Sequence, residues 1–109
     1  MERQIQKAIV ELLRRLGWHV VVFSSYRGVN QSIAGWPDVV AFRNEKTLLI
    51  ECKSERGKLR AAQQRFARAV APHLGPHLRY IVARSVEDVA HLIIDCAPTA
   101  AVTTAHIAE

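Results

Sequence analysis

The sequence predicts one α/β domain with a mixed four-stranded sheet flanked by helices. Three observations predict it. Blocks with apolar residues three and four apart are interleaved with short β-branched runs, in the order αβββαβα. Two of those runs are joined by a turn-length gap, which makes them antiparallel neighbours. The last β-type run follows a helix-length segment. The chain has 109 residues, a single-domain length with a core small enough that support from a second subunit is expected.

Glu2 to Leu16 is the first expected helix, with Ile5, Ile9, Leu12, Leu13 and Leu16 on one stripe and Gly17 as its stop. His19 to Ser24, "HVVVFS", reads as a strand. Ser25 to Pro37 has loop composition, with Gly28, Asn30, Gly35 and Pro37, and is long for a passive connection. Asp38 to Arg43 and Thr47 to Lys53 read as a hairpin pair turning at Asn44-Glu45-Lys46. Leu59 to Ala71 is a second helix, with Ala62, Phe66, Ala69 and Val70 inward, ended by Pro72, Gly75 and Pro76. Arg79 to Ala83 is a fourth strand. Ser85 then caps a third helix, with Asp88 three residues on and Val86, Val89, Ala90, Ile93 and Ile94 apolar. Residues 1–95 form the expected domain. Residues 96–109, with little charge and no period, are a tail that frays or docks on a partner subunit.

Bulk properties narrow the function classes. Half of the residues are hydrophobic and the net charge is +5, which suits a globular domain with a polyanionic partner, nucleic acid first. No apolar run approaches the roughly 20 residues needed to span a bilayer, and the first residues do not read as a signal peptide. A soluble, cytoplasmic protein is expected. Cys52 lies within an apolar strand and reads as a small buried hydrophobe, not as half of a disulfide with Cys96. His73 and His77 are separated by Gly75-Pro76 and share no helical face. No zinc spacing, phosphate-binding glycine loop or serine-nucleophile motif is present.

The chemistry centres on "IECK", Ile50–Lys53. Alternate residues of a strand face the same way. Leu48, Ile50 and Cys52 therefore share a core face, while Leu49, Glu51 and Lys53 share a face that becomes charged. Taken alone, Glu-x-Lys is usually an ion pair emerging into solvent. Asp38 alters that reading. It opens the second strand, and an antiparallel hairpin brings it beside the end of the third, where Glu51 and Lys53 lie. Two carboxylates brought together repel unless a proton or cation sits between them. Magnesium commonly takes one or two carboxylates, and a lysine beside it can meet a phosphoryl oxygen or carry a proton. Arg56, Lys58, Arg60, Arg65 and Arg68 follow, offset locally by Glu55 alone. Such a run is ordinarily a solvated helix face, and next to a metal site it also serves as a phosphate track. Arg27, Asn30 and Gln31 in the long loop add candidate DNA contacts. Trp36 either packs as core or stacks on a base.

"GWPD" at Gly35–Asp38, "IECK" at Ile50–Lys53 and "GKLRAAQ" at Gly57–Gln63, behind a first helix carrying Glu2 and Gln6, together resemble the PD-(D/E)xK nuclease superfamily. The finer pattern is similar to its VRR-NUC branch. The resemblance runs from about Glu2 to Ile94. It implies a restriction-endonuclease-like core and a metal-dependent endonuclease acting on DNA. It further implies Asp38 and Glu51 as ligands of magnesium or manganese, with the Cys52 carbonyl as a further ligand. By the same resemblance Lys53 orients or deprotonates the attacking water, Glu2 holds a water at the metal, and Gln63 reaches the site from the second helix. Glu2 stands at the start of the first helix, and Glu11, the other acid in it, lies two to three turns away. Standalone domains of this branch resemble dimeric Holliday-junction resolvases in size and layout. A homodimer acting on branched DNA is therefore expected, with a less selective nuclease or a nucleic-acid-binding module with a silent site as the rivals.

Overall fold

The computed structural model describes residues 2–23 and 34–96, with side chains to residue 93. Its elements are α1 (Glu2–Arg15), β1 (His19–Val22), β2 (Val39–Arg43), β3 (Lys46–Cys52), α2 (Ala61–Val70), a 3-10 turn (Ala71–His73), β4 (Leu78–Ala83) and α3 (Val86–Cys96). They form one four-stranded sheet in the order β1-β2-β3-β4. The first two pairings are antiparallel, and β3 and β4 run parallel through the α2 crossover. The sheet is mixed and flanked by helices, as the element order implies. Residues 24–33 and 97–109 lie outside the described residues.

One face of the sheet is an apolar core. Val39, Ala41, Leu48, Ile50, Cys52 and Ala83 point into it, met by Ile9, Val10 and Leu13 of α1 and by Val89 of α3. The period-two pattern of the strands and the three-four pattern of α1 therefore meet as expected. The end of α1 differs from expectation. Leu16 is exposed, because Gly17 adopts φ +91 and turns the chain. The amide of Trp18 then donates to the carbonyl of Leu13 at 2.9 Å. Trp18 takes the buried place that the stripe assigned to Leu16.

The hairpin turn uses two residues, not three. Asn44 and Glu45 both have positive φ, at 48° and 66°, and Arg43 already pairs with Lys46. This is the conformation whose twist matches a tight antiparallel hairpin. Strand β1 ends at Val22, two residues before the expected limit, although Phe23 still donates its amide to the Asp38 carbonyl at 2.8 Å.

The second face of the sheet is covered by α2, which buries none of its residues fully. Ala69, expected inward, is exposed. The helix is anchored chiefly by Phe66, which meets Trp36 edge-to-face at 5.5 Å and lies 5.9 Å from Tyr80. Trp36 in turn meets Phe23 edge-to-face at 5.5 Å. Trp36 is thus half-buried, packed between two aromatic rings. Edge-to-face pairs at such distances add modestly to area burial.

Candidate active site

Each residue of "GWPD" has a separate structural task. Gly35 has φ +86, and a Cβ there would lie 2.7 Å from the Ala62 carbonyl carbon. A side chain at this position would collide with the first turn of α2. Trp36 wedges between Phe23 and Phe66, and Pro37 is fully buried. The segment therefore fixes both the start of β2 and the approach of α2. It leaves Asp38 directly before β2, with Oδ2 accepting the Cys52 amide at 2.9 Å. The hairpin register, with Val39 opposite Ile50, brings this about.

Glu51 is 1% exposed and Lys53 7%. The simplest reading of Glu-x-Lys, an ion pair emerging into solvent, is thereby overturned. Both faces of β3 are buried, and the charged face lies under α2. Glu51 Oε2 accepts from Gln63 Nε2 at 2.8 Å and lies 4.0 Å from Lys53 Nζ. The other oxygen, Oε1, is buried with no hydrogen-bond partner. The Glu51 carboxyl is pushed up to about 8, first by burial and then by the Asp38 carboxylate nearby. Lys53 opposes this rise, and Glu2 adds slightly to it. Burial and the same acids push the Cys52 thiol up to about 12, which keeps it a neutral core residue.

Gln63 serves both sides of its position. Its Oε1 accepts the Arg60 amide at 2.8 Å, closing the start of α2, while its Nε2 holds Glu51. A glutamine can do this because its amide carries an acceptor and a donor at one end. Glu2 lies exposed in the first turn of α1, yet its charge is felt at Glu51 and Cys52. Arg56, Lys58, Arg60, Arg65 and Arg68 are all exposed. Arg27, Asn30 and Gln31 lie outside the described residues.

Two neighbours of the site escaped the sequence reading. Tyr80 pairs with Leu49 across the parallel β3–β4 ladder, which places it on the Glu51 face. Its buried hydroxyl has no partner, and burial together with Glu51 and Asp38 pushes it up to about 12. Arg84 follows β4 and reaches the loop after β3. Both positions depend on the parallel register, which no local pattern encodes.

The residues present suit a hard divalent cation. Asp38 and Glu51 face each other, the second with an unpartnered buried oxygen. Among the described residues no group of three or more His, Cys, Asp or Glu is placed to hold a metal. Two carboxylates and a main-chain carbonyl match the sparse protein share that magnesium commonly accepts. No helix among the described residues is long and apolar enough to cross a membrane.

An acid pair set by a hairpin and closed over by a crossover helix is the frame of the restriction-endonuclease-like fold. Within that class, the family model described as archaeal Holliday junction resolvase (hjc) matches residues 1–65. The match covers more than half of the chain and includes Asp38, Glu51, Lys53 and Gln63. The chain belongs to this family, a family of nucleases. No curated protein and no solved structure matches it.

Proposed function

We propose that this protein is a divalent-metal-dependent endonuclease that hydrolyses DNA phosphodiesters, acting as a homodimer on four-way junctions. The observation that carries the reading is Glu51: a fully buried carboxyl facing Asp38 with one oxygen unpartnered. Folding alone gains nothing from such a pair. Family membership supports the choice of a junction as substrate. The "GWPD", "IECK" and "GKLRAAQ" segments support a VRR-NUC-type layout within the superfamily.

Asp38, Glu51 and the Cys52 carbonyl are the groups that would hold magnesium or manganese. Such an ion supplies positive charge against the developing phosphoryl charge and lowers the pKa of water. The remaining work belongs to the chain. The Cys52 amide fixes the Asp38 carboxylate, and Gln63 fixes one oxygen of Glu51. Lys53, buried beside Glu51, places an ammonium where it can orient the attacking water or meet the phosphoryl oxygen. Glu2 is assigned a supporting contact to water at the mouth of the site. The exposed arginines and lysine of residues 56–68, with Arg27, Asn30 and Gln31, are assigned to the DNA backbone. Two opposed cuts in a junction are made most simply by two sites related by a twofold axis. A cytoplasmic location follows from that substrate.

The test is cleavage of a panel of duplex, single-stranded, flap and four-way DNA with magnesium or manganese, alongside light scattering. Paired cuts in the four-way junction by a dimer are expected. A monomer that cuts duplex and junction equally is instead a nonselective nuclease. Binding without cutting in either metal is the mark of a silent site.

A further inference from the structure

The loop between β3 and α2 joins the two halves of the site. It leaves Lys53 at one end and reaches Arg60 and Gln63 at the other, and it carries Arg56 and Lys58. A loop of exposed cations repels itself and needs something to give it a shape. Its own backbone supplies one turn, with the Gly57 amide donating to the Ser54 carbonyl at 3.1 Å. The rest comes from Arg84. Its Nη1 donates to the carbonyl oxygens of Ser54 at 2.8 Å, Glu55 at 3.3 Å and Gly57 at 2.5 Å.

Arg84 is itself held in place. The β3–β4 ladder extends one step past Cys52, with the Lys53 amide donating to the Ala83 carbonyl at 3.0 Å. This sets Arg84 level with Lys53, one residue before the turn that begins at Ser54. The amide of Arg84 donates to Asp88 Oδ2 at 2.9 Å in the first turn of α3. The same contact places a carboxylate near the start of a helix, where it is favoured. The side chain therefore extends from a fixed backbone toward three convergent carbonyls. The three carbonyls converge on the one nitrogen Nη1 and share its two hydrogens, and this nitrogen stands one bond farther from the backbone than a lysine ammonium does.

We infer that Arg84 is a positioning residue for the nuclease: it clamps the Ser54–Gly57 turn so that Arg56 and Lys58 are presented to the DNA backbone in a fixed arrangement. The inference rests on the nuclease reading above for its DNA partner and on the three carbonyl contacts for its geometry. Arg84 lies beyond the residues that the family model matches. It acts through the loop: its side-chain hydrogen bonds go to the carbonyls of Ser54, Glu55 and Gly57.

The experiment compares the full-length wild type with Arg84→Met and Arg84→Lys, each in three measurements. The first is trypsin nicking of the free protein, with cut sites identified by mass spectrometry. The second is binding of a fluorescent four-way junction at several salt concentrations. The third is kcat and KM for cleavage. In both variants nicking after Arg56 and Lys58 should rise about tenfold relative to nicking after Arg14 and Arg15. KM should rise about tenfold while kcat stays within about threefold, because Glu51 remains set by β3 and Lys53 by its amide bond to Ala83. Arg84→Lys keeps the charge and should still lose the clamp. Wild-type nicking and KM in Arg84→Lys would overturn the inference and leave Arg84 a point charge. A raised KM with unchanged nicking would also overturn it, making Arg84 a direct DNA contact. A wild-type protein that neither cuts nor binds any DNA defeats the nuclease reading itself. Nicking then still decides whether Arg84 clamps the loop.

Discussion

The two faces of the sheet are built for different ends. On one, α1 and α3 press Ile9, Leu13 and Val89 against Val39, Leu48, Ile50 and Cys52, all fully buried. On the other, α2 buries no residue fully and rests on a short chain of aromatic contacts. Beneath it lie the groups that are most costly to bury, Glu51 and Lys53. The same strand serves both faces, because alternate residues of β3 belong to opposite layers. Stability is thus concentrated in one layer, and the layer that carries the chemistry works against it. A site of mutually repelling carboxylates can persist only where a separate core supplies the surplus.

The largest expected contrast comes from Glu51. Glu51→Gln should lower cleavage at least a thousandfold while the protein's melting temperature in EDTA stays level or rises, since the cost of protonating and burying Glu51 is removed. Full magnesium-dependent activity in that variant would end the proposed mechanism. On the opposite face Leu48→Ala should do the reverse. It should cost about 2–5 kcal/mol in urea unfolding, from reduced burial and the cavity left behind. The protein that remains folded should cut at a near-native rate. A loss of activity without loss of stability there would mean the faces are not separable.

The pH dependence of stability sharpens the comparison next. The Glu51 carboxyl titrates near 4.5 when unfolded and about 8 when folded. The folded protein therefore holds a proton across that window that the unfolded chain has released. Its contribution is complete below about pH 4.5 and is lost as pH rises through 8. Stability in EDTA should accordingly fall by on the order of a few kcal/mol between pH 5 and pH 9. Glu51→Gln should flatten that fall, and thermal melts across the range measure it. An equal fall in both proteins would place the titrating group elsewhere.

The smallest effect concerns the outer surface of α2. Replacing Arg60, Arg65 and Arg68 together by glutamine should leave stability within about 0.5 kcal/mol. The slope of log binding constant against log salt should fall by about 2–3 in magnitude, roughly 0.9 for each phosphate no longer neutralised. An unchanged slope would put the DNA on another surface.

Much of this arrangement is local and so was legible in the sequence. The strands follow from period-two runs, and the approach of Asp38 to Glu51 follows from a hairpin too short to be anything but antiparallel. Gly17 marked the end of α1, although which side chain the turn would bury, Leu16 or Trp18, depended on the path after it. The burial of Glu51 was not legible. It is produced by α2, whose position over the sheet is set by Gly35 and Trp36 from a distant part of the chain. For the same reason the placement of Gln63 at the site came only through resemblance, its bond to Glu51 came from the structure alone, and the reach of Arg84 was not foreseen at all. The reach of Arg84 needs a parallel register that no run of residues announces. Ala69 was misplaced because a helix covering a sheet by one narrow stripe shows a wider apolar pattern than it buries.

The two-residue turn at Asn44–Glu45 also bears on the order in which the chain folds. A tight hairpin closes in about 1–10 μs, and this one already sets Asp38 beside Glu51. The parallel partner β4 comes later, after the whole crossover has found its path. The acids therefore meet while still wet, when their repulsion is screened and mild. Their desolvation falls on the final docking of α2, late on the folding path. An interaction absent from the transition state shows itself in the unfolding rate. In stopped-flow experiments in EDTA, raising the pH from 6 to 9 should speed unfolding and leave the folding limb nearly unchanged. A pH-dependent folding limb would instead mean that the acids are buried before the barrier.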